Sequence, residues 1–255
     1  QYQNIIKLYK NSKNYWEYFQ AAHLLFKMTK RLGAYPFARI ARTAFIAHSI
    51  LNSLVENKIM DKKEKLDFLS SIETAASSFY DFISSCEKNK LNQEDQILLE
   101  EFGHLRMNTY DITAIRYDQM PADFWNNIRK RDKQSFNSYK LKEKNLVIIS
   151  KILKEKGLKI DAKILFSFIR DAIQAREDAK LKFTKPLSKG LDFITQGSKL
   201  LGIKTNEVQN VTLSTLSRFR NPEFSSTSKA AEYLRHRIGE KISERTVFDL
   251  IKLPS

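Results

Sequence analysis

Apolar residues recur every three or four positions over most of the chain, which is the spacing of helices with one buried face. On that pattern one helix is predicted over Ile5 to Lys30, ending before Gly33. A second follows Pro36 and runs to Asn57, and a third covers Lys62 to Glu87. A fourth starts at Asn92, a helix-capping residue type, with Glu94 and Asp95 in its first turn. After Pro121 a short helix holds Phe124 and Trp125, and a polar connector spans Arg129 to Asp132. Helices are then predicted over Ser135 to Lys156 and Asp161 to Phe183, and Pro186 opens another that ends near Gly202. Shorter helices close the chain, with turn signals at Asn221-Pro222 and Gly239. With about ten helices and no convincing strand, the expected fold class is all-α. No internal repeat argues for a solenoid, and a break near residues 126 to 135 divides the expectation into subdomains 1–128 and 129–255.

Composition narrows the partners. A formal net charge of +15 and a pI near 9.7 favour anionic partners. Most of that charge is lysine interspersed with acidic residues, a pattern of solvated helix faces, and no nucleic-acid-binding signature accompanies it. A basic helical module for nucleic acid or a partner protein is therefore the alternative reading. Cys86 is the single cysteine, and no clustered Cys/His spacing points to zinc, so a reducing, cytoplasmic setting is expected. No run of about 18 apolar residues predicts a membrane span. The chain starts without Met at a polar Gln1-Tyr2-Gln3 and stops at Leu253-Pro254-Ser255, so a piece of a longer polypeptide is expected.

The segment Gly103 to Asp118 breaks the helical rhythm. It gathers His104, Arg106, Thr109, Tyr110, Asp111, Arg116, Tyr117 and Asp118 within a loop. Arginine forks carboxylates, aspartate takes an ammonium group, and Tyr or Thr orients an amide, which suits a small zwitterion. An internal network pinning the connection to the helices uses the same residues.

On the second predicted helix Arg39, Arg42, Ser49 and Ser53 share a face opposite Phe37, Ala41, Ala44, Leu51 and Val55. That face meets either phosphate and carboxylate groups or plain solvent. His48 falls on the apolar side and His23 in a similarly apolar helix, so both are expected to be packed. His236 sits between Arg235 and Arg237 and is expected at the surface, and His104 is either functional or bonded to the end of the preceding helix.

Between Asp161 and Phe183, Leu165, Phe168, Ala172, Ala175, Ala179 and Phe183 form a predicted apolar seam. Arg176 lies at its edge, with Arg170 and Glu177 pointing away. A buried Arg176 needs either a ligand, which makes it a candidate substrate-binding residue, or a carboxylate partner, which Asp111 or Asp118 could supply. The pairs Glu100-Glu101 and Glu94-Asp95 are ordinary helix charges, and no residue of the chain is assigned a catalytic role.

Residues 103–118 resemble the motif GHLRPGTYDI followed by RYD, found in phosphoenolpyruvate-synthase-like bacterial phosphotransferases that include the L-glutamine kinases of capsule modification. Pro36 to Ala47 with Leu51-Asn52-Ser53-Leu54, and Arg176-Glu177 through Phe183-Thr184 to Leu187-Ser188, resemble further segments of that family. Met107-Asn108 stands where the motif has Pro-Gly. The resemblance implies a three-part enzyme, with an ATP-grasp-like domain before this helical region and a swivelling phosphohistidine domain after it. It implies phosphoryl transfer from ATP through that histidine to an acceptor such as the L-glutamine amide, with ATP and Mg on the nucleotide-binding domain. This chain has no Gly-rich phosphate loop and no strands for an ATP-grasp sheet, so no cofactor is expected in it. Its expected share is acceptor binding: Arg106 and Arg116 on the carboxylate or phosphoryl group, Asp111 or Asp118 on the ammonium, and Thr109, Tyr110 and Tyr117 on the amide.

Overall fold

The computed structural model describes residues 1–74, 77–79, 93–121, 139–220, 224 and 226–250. The described chain is all-α. Its helices are α1 (Tyr2–Tyr9), α2 (Tyr15–Met28), α3 (Tyr35–Glu56), α4 (Lys62–Ser70), α5 (Gln93–Phe102), α6 (Glu143–Glu155), α7 (Ala162–Leu200), α8 (Thr205–Val208), α9 (Leu213–Ser217) and α10 (Thr227–Leu250). Among the described residues there is no strand, only one isolated antiparallel bridge between Arg106 and Arg116.

Several boundaries differ from the sequence reading for definable reasons. Ile5 to Lys30 is not one helix but α1 and α2, separated at residues 10–14. Gly33 does not end a helix. A π-helix, Thr29–Ala34, runs from α2 directly into α3. A Cβ on Gly33 would lie 2.6 Å from the Phe183 Cβ, so this glycine serves close packing rather than chain termination. Pro186 likewise lies inside the 39-residue α7 instead of opening a new helix. It removes one helical N–H, a loss the long helix tolerates in a buried position. True terminators sit elsewhere. Gly157 (φ 75°) and Gly202 (φ 66°) adopt the left-handed conformation at the ends of α6 and α7. The amides after them reach back, Leu158 to the Leu153 carbonyl at 2.9 Å and Ile203 to the Ser198 carbonyl at 3.0 Å, which closes each helix end.

The chain forms two compact units, interleaved along the sequence instead of divided at 128/129: Gln1–Leu32 with Gly103–Gln119 and Thr184–Ser255, and Gly33–Phe102 with Met120–Phe183. The predicted short helix at Phe124 and Trp125, the connector at Arg129 to Asp132, the helix starts at Asn92 and Ser135, the Asn221-Pro222 turn, Cys86 and the end of the third predicted helix lie outside the described residues. Within them that helix covers Lys62–Ser70 before a break.

In the first unit, α2 buries Tyr15, Phe19, Ala22 and Leu25 against Phe193 and Leu201 of the α7 end, Phe219 beyond α9, and Leu234 and Ile238 of α10. Phe219 is the hub, with ring centroids 5.9 Å from Tyr15, 5.1 Å from Phe19 and 5.7 Å from Tyr233. Helices α2 and α7 approach closely because Gly197 has no side chain: a Cβ there would lie 2.7 Å from the Phe19 ring and 2.9 Å from the Tyr15 carbonyl.

The second unit packs Leu51 and Leu54 of α3, Phe68 of α4, Ile149 and Leu153 of α6, and Leu165, Phe166 and Ile169 of α7. The buried face of α7 is thus rotated from the predicted seam. Phe166, Ile169 and Ile173 are inside, while Phe168 is 37% exposed and Ala175 faces out. Helix α4 begins with a reciprocal cap. The Asp61 carboxylate accepts the Glu64 amide at 2.7 Å and Glu64 accepts the Asp61 amide at 2.9 Å. Lys142 lies 2.6 Å from the other Glu64 oxygen, and with these donors the Glu64 carboxyl is held below its usual range despite burial.

Candidate functional site

The chain leaves α5 at the buried Phe102 and forms a loop, 103–119, closed at its base like a short hairpin. The Tyr117 amide donates to the Leu105 carbonyl and the Asp118 amide to the Gly103 carbonyl, each at 3.0 Å, and Arg106 pairs with Arg116 across the bridge. Residues 117–119 then make one turn of 3-10 helix.

Three polar residues of α7 receive this base. Thr184, Ser188 and Asp192 are four positions apart, so they form a stripe along one helix face, and all three are buried. Nε2 of the buried His104 lies 3.2 Å from Thr184 Oγ1. Arg106, 8% exposed, donates through Nε to Ser188 Oγ at 3.1 Å, through Nη2 to Asp192 Oδ1 at 2.6 Å, and through Nη1 to the Ala114 carbonyl. Arg116 donates through Nη1 to Asp192 Oδ2 and grips Asp118 with a bidentate fork, its Nε 2.9 Å from Oδ1. One carboxylate, Asp192, therefore bridges two guanidiniums. Lys189 stands 3.8 Å from Asp192 Oδ2 with its Nζ 5.0 Å from the Phe193 ring centroid.

Burial disfavours the charged form of the basic groups in this cluster, and the pairing decides the outcome for each. Burial pushes Arg106 down from its usual range against the pull of Asp192. For Arg116 burial also lowers the value, but the bonds to Asp118 and Asp192 outweigh it and the net direction is up. Burial lowers Lys189, partly countered by Asp192, and burial raises the neighbouring Tyr2 phenol. Both arginines stay charged, and every guanidinium nitrogen donates within the protein. The carboxylate that they were expected to take from a substrate is supplied by the protein itself.

The tip of the loop is different. Ile112, 9% exposed, anchors it to the first unit's core, and Asp111 Oδ1 accepts the Thr113 amide at 2.8 Å and hydroxyl at 2.6 Å. Those bonds hold the Asp111 carboxyl below its usual range. Tyr110 is 71% exposed. Asn108, Thr109, Tyr110, Asp111, Ile112 and Gln209 line an open depression of about 460 Å³.

No family model, no curated protein and no solved structure matches the chain. Among the described residues no group of three or more His, Cys, Asp or Glu is placed to hold a metal ion, and no helix is long and apolar enough to cross a membrane.

Of the expected site residues, the fold brings His104, Arg106, Arg116 and Asp118 to the base of the loop and Thr109, Tyr110 and Asp111 to its tip. Tyr117 is half-buried in the 3-10 turn and does not line the depression. Arg39, Arg42, Ser49 and Ser53 belong to the other unit and form an exposed face of α3. Arg176 belongs to the second unit, and Asp111 and Asp118 to the first. Its Nη1 lies 2.7 Å from Glu177 Oε1, and its guanidinium lies 5.9 Å from the Phe45 ring centroid. Arg170 is exposed, its guanidinium 5.7 Å from the Phe68 ring centroid. His48 and His23 are half-buried rather than packed away, burial lowering the His48 value first and Lys65 and Arg176 adding to it. The His236 side chain is 71% exposed.

The sequence reading missed Asp192, Lys189 and Gln209. Asp192 had a detectable signal: Thr184, Ser188 and Asp192 repeat at helical spacing beside Phe193 and Ile194, which places polar groups next to a buried face and demands partners for them.

Proposed function

We propose that this chain is the acceptor-binding helical region of an ATP-dependent phosphotransferase that works through a phosphohistidine on another domain, with the L-glutamine amide nitrogen as the phosphoryl acceptor. The observation that carries the reading is the division of labour in residues 103–118, the stretch with the family resemblance. Its base is locked by a buried ion cluster, and its tip gathers an amide, hydroxyls and a carboxylate around an open depression.

Phosphoryl transfer asks a protein mainly for positioning and charge neutralisation, so a rigidly based loop with a polar tip suits the acceptor's side of the reaction. ATP and Mg belong, on this reading, to the nucleotide-binding domain. Arg106 and Arg116 hold the loop in shape, and Thr109, Tyr110 and Asp111 meet the acceptor.

The test is titration of the ¹⁵N-labelled chain with L-glutamine up to about 20 mM, a range that reaches the weak end of small-ligand affinity. Saturable shifts confined to residues 108–112 and 209 support the reading; a spectrum that does not move refutes it. The exposed Arg39 and Arg42 face and the net charge of +15 favour a second reading, a basic interaction module. Retention on heparin that falls steeply with salt, together with indifference to L-glutamine, selects it.

A further inference from the structure

We infer that the depression at the loop tip binds the amino end of its ligand, so that its ligand class is a small primary amine recognised through ammonium and amide groups and not through a carboxylate or phosphate. The inference rests on the reading of this loop as the acceptor site and deepens it by fixing which end of the acceptor enters.

The first ground is where the positive charge goes. The strongest partners of a ligand carboxylate or phosphate are guanidinium and ammonium groups, and each nitrogen of Arg106 and Arg116 already donates to Asp192, Asp118, Ser188 or Ala114 at the base of the loop. None of the six residues lining the depression is cationic.

The second ground is what the lining offers. Asp111 brings a full negative charge, held in place by neutral donors, the Thr113 amide and hydroxyl on Oδ1 together with the Asn108 side chain and the Ala114 amide, so that no cation neutralises it as Arg116 neutralises Asp118. Its carboxyl stays ionised through the neutral range. Tyr110, 71% exposed, brings an aromatic ring whose negative face attracts an ammonium group. Gln209 brings a side-chain amide able both to donate and to accept, while the Asn108 amide donates to Asp111 and keeps its oxygen as an acceptor. Asp118 fails as an ammonium partner because Arg116 already forks both of its oxygens. Of the two aspartates that the sequence singles out, Asp111 is therefore the one that takes the amine.

Three probes separate the possibilities by ligand-observed saturation-transfer NMR on the full chain: L-glutamine, its α-amide L-glutaminamide, which lacks the carboxylate, and glutaramate, which lacks the amino group. L-Glutaminamide is expected to bind at least as well as L-glutamine, and glutaramate about tenfold more weakly, the size of effect that one lost charge-assisted contact gives. Asp111→Asn should weaken both amines by about the same factor, with the loop still folded because asparagine keeps an Oδ1 acceptor for Thr113, as unchanged amide shifts outside residues 108–114 would show. Glutaramate binding as tightly as L-glutamine, or an Asp111→Asn chain with wild-type affinity for the amines, overturns the inference and leaves the acceptor reading standing. L-Glutaminamide binding with no response to L-glutamine keeps the amine site and removes glutamine as the acceptor. Silence from all three overturns both.

Discussion

Replacing Asp192 with Asn tests the ion cluster directly. The side chains involved are nearly dry: Arg106 is 4%, Asp192 8% and Arg116 12% exposed. In wild type three cations, Arg106, Arg116 and Lys189, face two carboxylates, Asp192 and Asp118. The Asp192→Asn substitution keeps the shape and one acceptor oxygen but removes the charge shared by both guanidiniums. Removing one partner of a buried pair costs about 3–5 kcal/mol, because the remaining charge stays buried without compensation. The lower end applies, since Arg116 retains Asp118 and Arg106 retains Ser188 and the Ala114 carbonyl. A loss of about 3 kcal/mol corresponds to a Tm lower by about 6–12 °C for a chain of this size. Differential scanning calorimetry reads the total, and hydrogen exchange reads the place: peptides covering 103–119 should lose protection before the rest. Asp118→Asn is the control, expected to cost about 1 kcal/mol or less because its carboxylate is 32% exposed and serves one arginine. The argument fails if Asp192→Asn costs no more than Asp118→Asn, or if exchange at 103–119 is unchanged.

Gly197→Ala should destabilise by about 1–2 kcal/mol in urea titration, since the roughly 1 kcal/mol gained in helix propensity is outweighed by a methyl 2.9 Å from the Tyr15 backbone carbonyl. Glu64 sets a pH dependence. Its folded carboxyl is depressed below the ordinary 4.5, so the stability it confers is complete above that value and is lost as the pH falls through the lower folded value. The gap between wild type and Glu64→Gln should accordingly be largest near neutral pH and close in acid, and a gap that widens on acidification would contradict the sign. Tyr110→Ala should leave unfolding free energy within about 0.5 kcal/mol, the side chain being 71% exposed, while weakening L-glutamine binding at the loop tip about two- to fivefold.

The helical class, most helix faces and the irregular loop are all readable from apolar spacing, because burial against one face writes a three-to-four residue period into the chain. Punctuation is where local reading fails. Gly33 and Pro186 look like helix boundaries, yet one makes room for Phe183 and the other rides inside a long helix, both settled by packing that no local window contains. The loop's residue types pointed to carboxylate, ammonium and amide chemistry. Its allocation did not emerge, because the acid that claims both arginines lies 76 to 86 positions away along the chain. The interleaving of the two units has the same origin, since pairings at such separations leave no periodic trace.

The pinched base of the 103–119 loop makes its tip exchangeable. Arg106 and Arg116 meet across the bridge and share one anchor, so the residues between them begin and end at a fixed gap whatever they spell. Substitutions at the exposed positions 107, 108 and 110 should then cost little stability, whereas changes at the anchor cost folding. A loop wired this way separates the positions that carry its shape from those that can vary without disturbing the helices.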